Sequence, residues 1–463
     1  MQKNGIYEGV VSGLGTDGEG IIKVEGTTVF VPFCLIGEKV KFKALKVKGN
    51  IAYGKIESIE NEAYSRVNPP CEVFKKCGGC ALQHMDYAAQ LEFKRQLVEN
   101  ALAKIGGISV KVQPCVGCAS QYRYRNKLAL PIGAESGKTV CGFYSLHSHR
   151  IVPVKDCLIQ SEWVKKVISA VENFAVARHI CGYDEQTGRG ILRRIVVREI
   201  KGAYIFALVV AKDLDVAPLI VELEKDFDNF TFLVNINNSR TNALFSDKWR
   251  ICRGQGSFEA EDCGIKYSAG ANTFLQVNDE VREKLYAKVL DEADEGCVAL
   301  DLYSGGGMLT AMLAKKCGKS FGIEIVEEAS RCADALRDKN GLQNKMFNIC
   351  GKVEEKIDEV AALVGNSRKI IVCDPPRKGM ERSVVNAVAR SGAEKVVLVS
   401  CNPSTLARDL GLLVGTLREE DGGLIKHTLP ENAPYNIESV TPFDMFPQTK
   451  HVETLVVLTK HNK

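Results

Sequence analysis

No stretch of this 463-residue chain comes near the roughly 18 consecutive apolar residues that a membrane span requires, so no membrane association is expected. The opening MQKNGIYEGV lacks the apolar core of a secretory leader, and a cytoplasmic protein is expected. Internal repeats and low-complexity tracts are missing, which sets aside solenoids and compositionally biased arrays. Strong charge of one sign is missing too. With 61 Lys and Arg against 57 Asp and Glu, the formal net charge is only +4, so a nucleic-acid partner would have to be recognised by local clusters of cations. Nothing marks an oligomer, and a monomer is expected.

Cysteine, in contrast, is abundant, at 17 residues. The number is odd and the chain is neither short nor led by a signal segment, so a disulfide framework is not expected; reduced thiols, a metal centre and a nucleophile are. The length implies roughly two to four domains.

Residues 1–61 read as short strands parted by glycine turns (EGVVSGLG, GEGIIKVEG, TTVFVPFC, EKVKFKALKVKG, NIAYGKIESI), the pattern of a small barrel of the oligonucleotide-binding type. Lys39, Lys41 and Lys43 alternate with apolar residues and so share one strand face, either as an RNA-facing row or as lysines guarding an edge strand. An irregular stretch with three cysteines follows, then DYAAQLEFKRQLVENALAKIGG, one amphipathic helix over about 88–106 ended by glycines. Residues 62–255 are otherwise mainly β (RRIVVREI, AYIFALVVA, FTFLVNIN). From 256 to 463 strand and helix alternate, which predicts an α/β domain on a largely parallel sheet, Rossmann-like in class.

Three motifs fall at the carboxyl ends of predicted strands, where such sheets bind ligands. In ALDLYSGGGMLT an acid closes a strand before a glycine turn, so Asp301, Tyr303 and Gly305 line a nucleoside pocket. Glu324 ends the next strand, 23 residues after Asp301, placed to accept ribose hydroxyls. The dinucleotide phosphate fingerprint is absent, which favours S-adenosylmethionine over NAD. Asp374 opens DPPRKG after KIIVC; Arg377 stands where methyltransferases acting on base amino groups carry an aromatic. In VVLVSCNPSTLARDL, Cys401 ends a strand and Asn-Pro follows at once.

CEVFKKCGGC sets Cys71, Cys77 and Cys80 in a C-x5-C-x2-C run that needs a fourth ligand. Cys115 and Cys118 offer one alternative, a zinc site shared with Cys77 and Cys80, although 34 residues separate the pairs. A radical S-adenosylmethionine enzyme would use C-x3-C-x2-C, and a noncatalytic RNA-binding protein would leave SCNP without a role. In QYRYRNKL, Arg123, Arg125 and Lys127 alternate with Tyr122 and Tyr124, so a strand there would show cations on one face and aromatics on the other.

FLQVN, DLYSGGG, IVCDPPR, SCNP and HVET, read in order, resemble the TRAM-domain, iron-sulfur type of RNA uracil-5-methyltransferase over essentially the whole chain. The resemblance implies a TRAM barrel, a central β domain with a [4Fe-4S] cluster on Cys71, Cys77, Cys80 and Cys157, and a C-terminal methyltransferase domain on which the 88–106 helix packs. It implies S-adenosylmethionine contacts at Gln276, Tyr303, Glu324 and Asp374, Cys401 as nucleophile and Glu453 as general base. Ribosomal RNA, 23S above all, is the expected substrate, since the tRNA enzyme of this family generally lacks barrel and cluster. The chemistry asks for the same residue types: uracil C5 takes a methyl group only after a thiolate adds to C6, and the C5 proton must then leave to a base.

Overall fold

The computed structural model describes the chain except for residues 136, 147, 242, 421–422, 427–432 and 462–463. Strands β1 (Ile6–Leu14), β2 (Gly20–Val24), β3 (Thr27–Val31), β4 (Lys39–Lys48) and β5 (Ile51–Asn61) close into a barrel in the order β1-β2-β3-β5-β4. Val11, Ile22, Val29, Val31, Val40, Phe42 and Ala52 fill it. Alternation along β4 sends Val40 and Phe42 inward and Lys39 and Lys41 outward. Because β4 pairs with both β1 and β5, it has no free edge for lysines to guard. Lys39 is held by Glu60 at 2.7 Å, whereas Lys41 and Lys43 have no ion-pair partner among the described residues.

After the irregular cysteine segment comes α1 (Tyr87–Ala101), capped by Asp86, whose carboxylate accepts the Ala89 N–H at 2.8 Å. It widens into a π-helical turn, Leu102–Gly106, and stops at Gly107, a left-handed residue at φ +65°. Val98, Leu102, Ile108 and Val112 are buried in the core of the C-terminal sheet, so this segment belongs spatially to a unit formed far later in the chain.

The central sheet combines β6 (Lys127–Glu135), β7 (Lys138–Tyr144), β8 (Ile151–Pro153), β9 (Leu192–Ile200), β10 (Ala203–Val210), β11 (Phe230–Ile236) and β12 (Trp249–Arg253) in the order β12-β11-β10-β9-β6-β7-β8. One face, with Leu128, Leu130, Ile195 and Val197, is covered by helices α2 (Val164–Ala177) and α3 (Ala217–Leu223). The other face, with Val196, Ile200, Ile205 and Ala207, packs on residues of the C-terminal unit, including the hairpin β13 (Ser257–Asp262) and β14 (Ile265–Gly270).

Helix α4 (Asp279–Asp291) leads into β15 (Val298–Leu302), α5 (Met308–Cys317), β16 (Lys319–Glu324), α6 (Glu327–Lys339), β17 (Met346–Cys350), α7 (Val353–Val364), β18 (Lys369–Cys373), α8 (Arg382–Arg390), β19 (Lys395–Ser400) and α9 (Pro403–Leu413). A small hairpin, β20 (Leu417–Glu420) and β21 (Gly423–Lys426), precedes β22 (Tyr435–Phe443) and β23 (Glu453–Lys460). The sheet order is β17-β16-β15-β18-β19-β23-β22; β15 to β19 run parallel, and β23 is inserted antiparallel. The order reverses between β15 and β18, and the crevice above that switch point is where the motifs converge.

Candidate active site

The turn after β15 is built for close approach. Tyr303 adopts φ +66° and Gly305 φ +53°. A side chain placed on Gly305 or Gly306 would meet nothing within 4 Å, so open space lies over the turn, whereas one on Gly307 would strike Ala333 and Met346 at 2.7 Å. Glu324 ties this turn to the tip of β16, accepting the Gly305 N–H at 2.9 Å and the Val326 N–H at 2.8 Å. Beside it Ile325 and Val326 expose apolar side chains, which acidic-tip reasoning from the sequence did not single out. Tyr303 Oη is buried with no hydrogen-bond partner.

Asp301, buried, accepts a hydrogen bond from Thr310 Oγ1 at 2.6 Å. Burial pushes its carboxyl up to about 7; the Thr310 bond works against the rise, and the charges of Asp374 and Glu324 add to it. Asp374 is hemmed in by protein and is raised to about 6, although its accessible surface lets crevice water oppose that shift. Gln276 is buried on the connection between β14 and α4, its carbonyl accepting from Asn126 Nδ2 at 3.1 Å, so it comes from beside the sheet edge instead of from it.

Cys401 and Glu453 meet through strand register. The β19–β23 ladder ends at the pair Ser400–Thr454, so Cys401 and Glu453, the next residue on each chain segment, both lie at the mouth of the sheet, near enough that the Glu453 charge acts on the thiol. The Asn-Pro after Cys401 starts a helix: Asn402 Oδ1 accepts the Ser404 N–H at 3.0 Å and Pro403 fits the first turn, where its missing N–H is not needed. Asn402 Nδ2 also donates to the Arg377 carbonyl at 3.0 Å, fixing the DPPR loop beside the cysteine.

Burial raises the Cys401 thiol above its ordinary value; the Glu453 charge adds, Arg377 opposes and Asp374 adds again. Glu453, 4% exposed, is pushed up to about 8 by burial and by Asp374, against Arg377. Arg377 is thus the cation next to both groups, a placement the sequence reading did not draw from its departure from the aromatic pattern. His451 is held down to about 4 by burial and by the nearby cations Arg377, Lys450 and Lys94.

Cys71, Cys77, Cys80 and Cys157 line one cavity of about 420 Å³, together with Gln83, Arg125, Lys127 and Gln160. All four are free thiols. Burial, and then the neighbouring thiol of Cys157, pushes Cys80 up to about 12; Cys157 is raised to about 11, chiefly by burial. Among the described residues no three His, Cys, Asp or Glu side chains converge as a ready site for a single metal ion. Cys115 and Cys118 lie elsewhere. Cys115 sits near Asp444 and Lys94, and Cys118 contacts Ser120 O and the Tyr87 hydroxyl, so the two pairs do not form the alternative zinc set.

Residues 121–126 are not the strand that QYRYRNKL suggested; regular pairing starts at Lys127. Arg123 takes φ +59° and turns its guanidinium onto Asp156 (2.7 and 2.8 Å) and the carbonyls of Cys157 and Gln160. Tyr124 donates its hydroxyl to Pro447 O. These contacts are structural.

A glycine turn and an acidic strand tip, set at the switch point of a parallel sheet with an antiparallel inserted strand, define a methyltransferase domain that binds a nucleoside-bearing methyl donor. The model of the tRNA (uracil-5-)-methyltransferase family matches residues 86–461, and the chain belongs to that family. An uncharacterized RNA methyltransferase of Clostridium tetani is 38% identical over 466 residues, covering 99% of this chain and 97% of its own. One of Listeria monocytogenes serotype 4b is 36% identical over 467 residues, covering 99% and 98%. The crystal structure of Pyrococcus abyssi tRNA (uracil-54, C5)-methyltransferase in complex with S-adenosyl-L-homocysteine superposes with a TM-score of 0.75 at 25% identity, covering 98% of this chain and 99% of that one. The chain is an RNA (uracil-5-)-methyltransferase using S-adenosylmethionine, with an N-terminal barrel and a C-terminal methyltransferase fold.

Proposed function

We propose that the enzyme methylates uracil C5 through a covalent adduct on Cys401, with Glu453 as the base that completes the reaction. The observation that supports the reading is that both residues directly follow the last pair of the β19–β23 ladder, with the Glu453 charge acting on the Cys401 thiol. Cys401 Sγ bonds to C6, and the C5=C6 π pair moves toward C5 and the C4 carbonyl; the neighbouring Arg377 cation favours the thiolate. S-adenosylmethionine, when bound, supplies the methyl group as an electrophile. Glu453 then takes the C5 proton, the C5=C6 bond re-forms, and the S–C6 bond breaks to return the thiolate. Open space above Gly305 and Gly306, the unpartnered Tyr303 hydroxyl and the Glu324 carboxylate fit an adenosyl group, with Gln276 and Asp374 as further contacts.

The four thiols around one cavity support a [4Fe-4S] cluster on Cys71, Cys77, Cys80 and Cys157, held as a structural centre. Iron and sulfide in anaerobically purified protein, lost on Cys157→Ser, would uphold this; zinc alone would overturn it.

For the substrate we infer ribosomal RNA, 23S, on the strength of the barrel and the cysteine cavity together. Transfer RNA is the second reading, because the Pyrococcus abyssi tRNA enzyme matches nearly the full chain, so a barrel alone does not separate the two. Mapping 5-methyluridine in both RNAs with and without the gene decides: loss from tRNA alone removes the ribosomal assignment.

A further inference from the structure

The segment that delivers Glu453, residues 444–452, is almost wholly buried, and it is gripped from several sides by parts of the chain remote in sequence. Asp444 is paired with Lys94 of α1; both are fully buried, and the same ammonium donates to Phe446 O at 3.1 Å. Pro447 O receives the Tyr124 hydroxyl at 3.1 Å. Gln448, at φ +70°, is the hub. Its N–H donates to Gln90 Oε1 and its side-chain carbonyl accepts from Gln90 Nε2, both at 3.0 Å. Its main-chain carbonyl accepts the N–H groups of Ala81 and Leu82, both at 3.0 Å, and these residues follow directly on Cys80. A left-handed non-glycine residue is strained by about 1 kcal/mol or more and persists where its surroundings over-determine it.

We propose that α1 and the cysteine segment clamp this strap through Gln448, and that the clamp positions Glu453 for removal of the C5 proton; Gln90, Lys94 and Gln448 are positioning residues. The inference rests on the proposed role of Glu453. Addition of Cys401 and transfer of the methyl group do not use the strap, because Cys401 is fixed separately by β19 and the Asn402 cap. Loosening the clamp therefore slows only the last step, in which the C5–H bond breaks to Glu453 and the S–C6 bond opens.

The test separates the steps in the full-length enzyme with methyl-labelled donor and RNA. Gln90→Met keeps side-chain length but removes both bonds to Gln448. It is expected to transfer the first methyl group within about twofold of the native rate while multiple turnover falls about 10- to 100-fold, the penalty for a misplaced catalytic group. The covalent RNA–protein adduct should build up on a denaturing gel, and Gln90→Glu, which can still accept the Gln448 N–H, should release it faster than Gln90→Met. An equal fall in every step, or normal release by Gln90→Met, overturns the inference while leaving Glu453 untouched. Absence of adduct in Glu453→Gln itself overturns the role of Glu453 and the clamp with it.

Discussion

The charge on Glu453 raises the Cys401 thiol, while burial and then the Asp374 charge raise Glu453 itself. The proposed mechanism needs thiolate and carboxylate, so kcat/KM should climb with pH through about 8, and Arg377→Gln, which removes the cation opposing both shifts, should carry that limb to higher pH. A pH–rate profile of the two proteins checks this; an unmoved limb would detach Arg377 from the chemistry. The same carboxyl affects stability. Its folded value of about 8 lies above the ordinary 4.5, so its contribution is fully present below about 4.5 and is lost as pH rises through about 8. Glu453→Gln escapes that loss, and its denaturant midpoint should exceed the native one at alkaline pH, by up to roughly 5 kcal/mol in stability, with the gap closing toward pH 5. Cys401→Ala should abolish both methylation and adduct, read by the same labelled-RNA gel.

Helix α1 shows at the level of elements what sequence could and could not reveal. Its apolar spacing and closing glycines mark a helix over 88–106, and short-range patterns of this kind also exposed the barrel strands and the strand-helix alternation around β15 to β19. Long-range pairing left no such trace. Lys94 meets Asp444 from 350 positions away, and in the sequence it is simply one more helical lysine. Arg123 breaks a plausible strand because Asp156, 33 residues on, offers a bidentate partner. The outward lysines of β4 and the small closed barrel were both legible from alternation and short strands; that β4 pairs on both sides, so that its lysines guard no edge, was not. Cys401 and Glu453 were singled out by their motifs; that they neighbour each other beyond the end of the β19–β23 ladder follows from a pairing that no local pattern specifies. Lys94→Met should strand a buried carboxylate and lower unfolding free energy by about 3–5 kcal/mol, while Lys94→Met with Asp444→Leu recovers most of it. Chemical denaturation of the single and double variants gives the answer.

Across the whole molecule, the central sheet and the C-terminal unit share a core in which Val196, Ile200 and Ala207 meet Ala311, Leu336 and Met346, and residues 98–112 enter the C-terminal core directly. A fragment spanning 1–255 should therefore bare two apolar surfaces and be cut quickly by protease near α1, and co-expression with 256–463 should protect it. Lys450 reaches Asp17 of the barrel, so the barrel is fastened to the same strap that ends in Glu453.

The partner of Lys94 has a further consequence, in time instead of space. During synthesis α1 leaves the ribosome about 350 residues before Asp444, a wait of roughly 20–70 s at ordinary bacterial-scale elongation rates. Throughout that interval the nascent chain carries an amphipathic helix with no core to enter and a lysine destined for full burial. The barrel has a core of its own and can close early, but α1 and the residues that follow it to 112 reach their place only once the C-terminal sheet and the strap around Asp444 have been made.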